Sequence, residues 1–487
     1  MQQFLISNKI IYMCNITIII LRTKCSGRQH MTRNINSRRS FIKAASIAGI
    51  AGLAGCSGQS TSSSGGSSGS SGGTIHFLSA ENSQAFKDYY QKWAGLFEEE
   101  HDHTVELEFV GVGTSQSQRI SKLIQSGDPP ELTTTAPEKG GGLALQGVLA
   151  DLSNEAEWMQ NEWGYEFNED FTFELQGSQY VVPIWVNMTM DWYRVSTWEE
   201  NVGMTPSEIT WSEFTQALAD THNVGERAGH VIPAGESLMS TEFYIDYMFS
   251  NGGNIFTREG EEIKLVMDQG ENRQKTMEVL ELFEEINEFS VDGSGYGYGQ
   301  QIETYWSEQA NETKYFGARP LQQAVANNEA VAEDTGLMHP PYKEEKSHQA
   351  FSEGWVMFEG ADNKEGAREF VKFMSRREPL YELLHIAPLH NLPPFPAAVD
   401  DDEFLDNEFI DTWVKTNDNI AIDDVVEMVD TAKTLVGETN PNNALASPVF
   451  SSGAFGNMIF NTLHGDMSKE EAIDNAASQS RSIIEEF

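Results

Sequence analysis

The stretch TIHFLSAENSQAFKDYYQKWAGLFEEEHDHTVELEFV, residues 74–110, decides the fold class. Thr74-Ile-His-Phe-Leu78 is a short apolar strand pattern. From Gln84 to Glu100, Phe86, Tyr89, Tyr90, Trp93, Leu96 and Phe97 recur every three or four residues, the period of a helix with one apolar face. Thr104–Val110 then alternates polar and apolar, the period of a strand. Working outward, Ser115–Ser126 reads as a helix with Ile120, Leu123 and Ile124 inward, stopped by Gly127-Asp128-Pro129-Pro130. Leu132–Thr135 is a short strand and Leu143–Leu149 a helix. Strand and helix alternating at this pitch predict βαβ units, and therefore an α/β chain with a parallel sheet and helices on both faces.

Further along, Gln179–Pro183 reads as a strand leading into Ile184–Trp192. Helices are expected at Trp211–Thr221, capped by Thr210, at Asn272–Ile286 and at Glu365–Ser375. Ser468 and Glu471 form the capping-box signature of a last helix. Gly293-Ser-Gly-Tyr-Gly-Tyr-Gly299 is a flexible loop that lacks the final glycine of a dinucleotide fingerprint. There is no His-Glu-x-x-His and no Gly-Lys pair for a phosphate loop. His101 and His103, with no third ligand nearby in sequence, read as a solvated turn rather than a metal site. Cys14, Cys25 and Cys56 are the only cysteines, so the chain beyond Cys56 holds no disulfide, Cys-ligated zinc or thiol nucleophile. No cofactor and no catalytic group is expected.

The 487 residues include 74 Asp or Glu and 32 Lys or Arg, a formal charge of −42. That balance excludes nucleic acid, whose phosphates need clustered cations. It equally excludes a basic patch for anionic lipid. The charge is unevenly placed. Residues 1–55 hold Lys9, Arg22, Lys24, Arg28, Arg33, Arg38, Arg39 and Lys43 and no acid, leaving −50 for the remainder. Such a surface repels itself unless salt shortens the range of the repulsion, so a saline working environment is expected.

The basic leader reads as an export signal over residues 1–55. Arg38-Arg39 precede the mild apolar run Ala44–Ala54, and Leu53-Ala54-Gly55-Cys56 follows. The paired arginines resemble the twin-arginine signal, and the last four residues resemble a lipobox whose cysteine, Cys56, carries the lipid. An apolar run of about 11–13 residues cannot span ~30 Å of hydrocarbon. Residues 1–30 read as a start-site overcall, with Met31 the initiator. Residues 56–73, nearly all Gly, Ser or Thr after the cysteine, form a flexible tether.

Ligands of open α/β sheets lie off the carboxyl ends of the strands. At such ends stand Glu81 and Asn82, Glu138 and Lys139, Trp185 and Asn187, and Trp355 beside Ser352-Glu353-Gly354. Aromatic faces with amide, acid and base neighbours suit a sugar, whose C–H face stacks while its hydroxyls meet the polar groups.

Eight landmarks in order then carry a resemblance: Phe97-Glu98; Lys122–Pro129; Ala136–Leu152; Tyr180–Pro183; Thr210–Phe214; Asn251-Gly-Gly-Asn254; Asn363–Ser375; and Met467–Asp474. The chain resembles the extracellular solute-binding proteins of ABC importers, family 1, the maltose-binding-protein-like class, in a haloarchaeal-type lipoprotein form. The resemblance covers nearly all of residues 74–487. It implies a two-lobe periplasmic-binding-protein-like fold (type II), each lobe a mixed sheet flanked by helices, with a hinge of crossing strands. The expected division is 74–184 with 340–398 for one lobe and 185–339 with 399–487 for the other. It also implies a sugar or polyol ligand between the lobes, delivered by a monomeric, lipid-anchored receptor at the extracellular face of the membrane to the permease subunits of an ABC importer.

Carried over by position, Glu138 and Lys139 match an acid–base pair on sugar hydroxyls, and Asn187 stands where the relative has a carboxylate. Glu242 and Phe243 precede the Gly252-Gly253 turn where it has a stacking aromatic, and Phe455 matches a late Trp. The family pattern of Gly-x-x-Ala-Met and an aromatic-rich loop is missing at Asn328–Gly336, which argues against maltose itself. Two other readings compete: a secreted acidic glycoside hydrolase working through two carboxylates, and a cell-surface scaffold without a ligand. Of the sequons Asn187-Met-Thr189 and Asn311-Glu-Thr313, the second is the better expected glycan acceptor.

Overall fold

One 17-residue strand, Ser178–Arg194, organises the fold. The computed structural model describes residues 72–487 except 112, 113, 261 and 466, so the export signal with Arg38 and Arg39, the lipid site Cys56 and nearly all of the tether lie outside the described residues. In chain order the strands are β1 (Thr74–Ser79), β2 (Thr104–Phe109), β3 (Leu132–Thr135), β4 (Phe173–Leu175), β5 (Ser178–Arg194), β6 (Phe256–Glu259), β7 (Glu262–Leu265), β8 (Glu312–Phe316), β9 (Thr335–Met338), β10 (His348–Met357) and β11 (Ala432–Lys433).

The main sheet runs β2-β1-β3-β10-β5-β4. β1 lies parallel to β2 and β3, as the βαβ periodicity predicts. The sheet is not parallel throughout: β3–β10, β10–β5 and β5–β4 are antiparallel. The parallel run ends where the long strands β5 and β10 come in against it. The result is a mixed sheet flanked by helices.

β5 changes partners midway. Val182–Met188 pair with β10, whereas from Thr189 onward β5 pairs with β8 and from Asp191 also with β9. The strand expected at Gln179–Pro183 therefore continues through Ile184–Trp192 as one strand. It carries the chain from one half of the fold to the other, and Asn187 and Met188 stand at the crossover.

Two apolar cores form, and each draws on both ends of this strand: Val182 and Trp192 belong to the first, Val181 and Tyr193 to the second. In the first, Phe77 meets Tyr90 and Trp355 with ring centroids 5.0 and 5.1 Å apart. The second gathers Tyr244, Tyr247, Phe283 and Phe455. Capping boxes open the helices Trp211–Thr221 (Thr210 with Glu213) and Lys469–Ile484 (Ser468 with Glu471), as their sequences indicate.

The helix expected at Leu143–Leu149 instead spans Pro137–Leu145. Its glycines are packing residues: a Cβ on Gly141 would come within 3.1 Å of both the Phe173 ring and the Ser447 side chain. Asn311 is fully buried, and its amide donates to the Thr221 carbonyl at 2.8 Å, so it is not the exposed glycan acceptor its sequon suggests. His101 Nδ1 and His103 Nε2 share the Glu369 carboxylate at 3.1 and 3.5 Å. No group of three ligating side chains suited to a metal exists among the described residues.

Candidate functional site

The crossover floors a cleft of about 820 Å³, within the range of roughly 300–1,000 Å³ typical of small-molecule sites. Strand periodicity supplies the floor. Phe351 and Glu353, two residues apart on β10, line it together, and Asn187 stands opposite Phe351 in register on β5. Glu81 enters from the loop after β1. Lys139 enters from the first turn of the helix Pro137–Leu145, where Pro137 occupies the first position at no hydrogen-bond cost.

The opposite wall comes from residues after the crossover. The helix Leu238–Ser250 contributes Leu238 and Glu242, and the helix Tyr298–Trp306 contributes Tyr298, Ile302 and Trp306. Tyr315 and Phe316 at the end of β8, then Arg319 and Gln323 of the helix Arg319–Asn327, complete it. The tight turn between β8 and that helix depends on Gly317: its φ is +61°, and a Cβ there would lie 2.5 Å from the His390 Cα. His390, also in the lining, donates from Nδ1 to the Phe316 carbonyl at 2.7 Å; burial pushes it down to about 3, so it is neutral.

The residues singled out in the sequence divide by placement. Glu81, Lys139, Asn187 and Glu242 line the cleft together. Glu138 is fully buried beside them, within electrostatic range of Lys139, Glu242 and Glu353. Asn82 is exposed and outside the lining. The aromatics Trp185, Phe243, Trp355 and Phe455 are core residues, not cleft residues. Trp185 packs by Phe86 with centroids 6.3 Å apart, Trp355 by Phe77, and Phe455 by Tyr244 at 5.1 Å. Phe243 backs the cleft residue Phe316 at 6.2 Å.

The aromatic lining of the cleft belongs to residues the sequence reading missed: Tyr298, Trp306, Tyr315, Phe316, Phe351 and Phe450. Tyr298, from the Gly-rich segment read only as a loop, is 39% exposed and donates its hydroxyl to Glu242 at 2.7 Å. Its flanking glycines leave the ring uncovered, and that is the one signal its sequence offered. The aromatics sought at Asn328–Gly336 come instead from β8, just upstream.

Electrostatically the site is a set of acceptors awaiting donors. Both Glu138 oxygens, Glu242 Oε2 and Asn187 Oδ1 are buried without a hydrogen-bond partner, and a buried polar group left unmatched costs about 1–3 kcal/mol. Burial pushes Glu138 up to about 8, Lys139 pulling back and Glu242 and Glu353 adding to the rise. It pushes Glu242 and Glu353 to about 7, in each case against Lys139. Glu81 is raised by burial against Arg319 and Lys139. Hydroxyls can satisfy such acceptors, cations can serve the lone pairs of those hydroxyls, and aromatic faces can take the C–H side of a ring.

Residues 80–379 match the family model of the bacterial extracellular solute-binding proteins, and the chain belongs to that family. Its members are binding proteins rather than enzymes, and so is this chain. No curated protein matches the sequence. Solved structures do. Maltose-bound MalE3 of T. maritima superposes with a TM-score of 0.69 at 14% identity, over 84% of this chain and 100% of that one. A sugar transporter from Arthrobacter chlorophenolicus A6 with bound laminaribiose gives 0.68 at 19%, over 84% and 99%. An ABC transporter solute-binding protein from Agrobacterium radiobacter K84, in complex with ribitol, gives 0.66 at 15%, over 85% and 99%. These likenesses establish the two-lobe fold.

Proposed function

We propose that the protein is the substrate-binding component of an ABC importer, taking a sugar or related polyol into the cleft at the β5 crossover and presenting it to a permease. The observation that carries this reading is the cleft itself, where aromatic side chains, buried unpartnered acceptors and the cations Lys139 and Arg319 line one cavity. The ligands named for the structural neighbours, maltose, laminaribiose and ribitol, point the same way. Lobe closure turns on β5, between Met188 and Thr189, and on the neighbouring β10. A thermal-shift screen of sugars and polyols at molar salt tests the reading. A ligand at 100 times its Kd adds about 2.7 kcal/mol of stability and a matching rise in Tm; silence across neutral, acidic and amino sugars and polyols sinks it.

The receptor is held at the extracellular face of the membrane through a lipid on Cys56. Support comes from the lipobox and the tether in the sequence; none of the helices among the described residues is long and apolar enough to cross a membrane. Cys56→Ala is expected to move the protein from the membrane fraction to the medium. Unchanged retention in the membrane fraction would remove the anchor from the account.

A further inference from the structure

Nearly every cation of the described residues is spent on a carboxylate. Between residues 72 and 487, each Lys and Arg joins an ion pair except Lys87, Lys122, Lys139, Arg258 and Arg319. With 74 acids to 32 bases, pairing is the default. Two exceptions have a use elsewhere: Lys87 sits over the Phe109 ring, and Arg258 donates to the Pro441 carbonyl at 2.9 Å; Arg319 Nη1 reaches a neutral amide, Gln322 Oε1, at 3.5 Å.

The other three lie in two adjoining cavities, with Lys139 common to both. Lys139 and Arg319 line the cleft. Lys139 and Leu238 also border a second groove of about 450 Å³, where Lys122 joins Gln118, Ser121, Gln125 and Ser451 and no acid takes part. The helix bearing Lys122, Thr114–Ser126, contains no Asp or Glu, and neither does the helix bearing Arg319. The groove lined by the first of these helices holds no acid, whereas the cleft lined by the second also holds Glu81, Glu242 and Glu353.

The nearby carboxyls do not cancel these cations. Glu81, Glu138, Glu242 and Glu353 form no ion pair with them, and burial holds the last three protonated until about pH 8, 7 and 7. Near neutrality these three are therefore less negative than ordinary carboxylates. Arg319 stays ionised, because a guanidinium does not lose its proton in proteins. Arg319 and Lys139 are half-buried and ion-paired to no carboxylate, although Glu81 acts on both electrostatically, so an anion in the cleft would give each a charge-assisted partner.

We propose that the solute carries an anionic substituent, a carboxylate, sulfate or phosphate on a polyhydroxy compound, received by Arg319 and Lys139 in the cleft, with Lys122 beyond Lys139 in the second groove. The guanidinium offers a planar fork to a carboxylate or sulfate, and the two ammonium groups act as point charges. The acceptor-rich floor by Asn187 and Glu242 takes the hydroxyls. This inference rests on the carbohydrate reading and narrows it from neutral sugars to acidic ones.

Titration calorimetry at constant molar salt tests it on the full mature chain. The probes are glucose, glucuronate, glucose 6-sulfate, glucose 6-phosphate, galactose, galacturonate, digalacturonate and inorganic sulfate. At least one acidic sugar is expected to bind about tenfold or more tightly than its neutral parent, the strength of a charge-assisted contact. Arg319→Gln and Lys122→Gln should each reduce that ratio, and Lys87→Gln should leave it unchanged. Lys122 is exposed on its helix, so the second variant tests the idea without threatening the fold. Neutral parents binding as tightly, or a ratio untouched in both variants, overturns the anionic preference and leaves the carbohydrate reading standing. Binding of sulfate alone, or of nothing, overturns both.

Discussion

Lys314→Met is expected to cost about 3–5 kcal/mol of unfolding free energy, the penalty for stranding buried charge. Lys314 on β8 is fully buried and lies 3.0 Å from Asp191 and 2.9 Å from Asp246, both equally buried. Asp191 is its register partner on β5, and Asp246 comes from the helix Leu238–Ser250. Against burial, the two carboxylates hold Lys314 above its ordinary value. Burial works to raise Asp246, but Lys314, His348, Thr189 and the Gln349 N–H outweigh it and hold the group low. The network ties β5, β8 and β10 together just beyond the crossover. Removing the cation leaves Asp246 with no counterion, and likewise Asp191, whose carboxyl burial already raises, whereas removing all three ionisable groups leaves none stranded. Urea unfolding of Lys314→Met, and of the triple variant with Asp191→Asn and Asp246→Asn, separates these cases. The triple variant should recover much of the loss. A single variant as stable as wild type would show the triad to be energetically idle.

The second large effect concerns pH. A carboxyl protonated to about 8 in the folded chain, against 4.5 as its ordinary value, binds a proton that the unfolded chain lacks between those limits. Stability from Glu138 is therefore fully present below about pH 4.5 and lost as pH rises through 8. Glu242 and Glu353 act in the same sense up to about 7. For Glu138 alone the loss approaches a ceiling of about 5 kcal/mol above pH 9. Gln resembles the protonated acid at every pH. Glu138→Gln should thus match wild type near pH 5, exceed it near pH 9, and melt with a flatter pH profile. Parallel profiles for the two proteins would show that Glu138 ionises freely in the fold.

The fold was legible wherever packing wrote a period into the chain. Gln84–Glu100 and Trp211–Thr221 carry apolar residues on one face, and their ends agree with the structure. It was illegible where packing overrode local preference. The expected helix began only after Gly140-Gly141-Gly142, yet Phe173 and Ser447 crowd Gly141 so closely that small residues suit a helix there. Pro183 reads as a strand end, yet β5 runs through it. In the site, polar residues at strand ends were found because charge and amides at such positions have few structural uses. Trp185 and Trp355 were misplaced because alternation cannot say which face of a strand meets the core. Tyr315, Phe316 and Arg319 escaped because a turn at Gly317, not a recognisable motif, brings them to the cleft.

The central claim, that this cleft reversibly holds one carbohydrate-like solute, is tested most directly by titrating the mature chain with the ligand that the thermal screen selects. Recovery and mass analysis of the ligand complete the measurement. The account predicts one site per chain, ligand returned chemically unchanged, and binding weakened at least about tenfold when Tyr298 and Trp306 are both replaced by Ala, since aromatic contacts of this kind contribute about 0.5–1.5 kcal/mol each beyond the area they bury. Ligand returned cleaved, or binding indifferent to the loss of both rings, would contradict it.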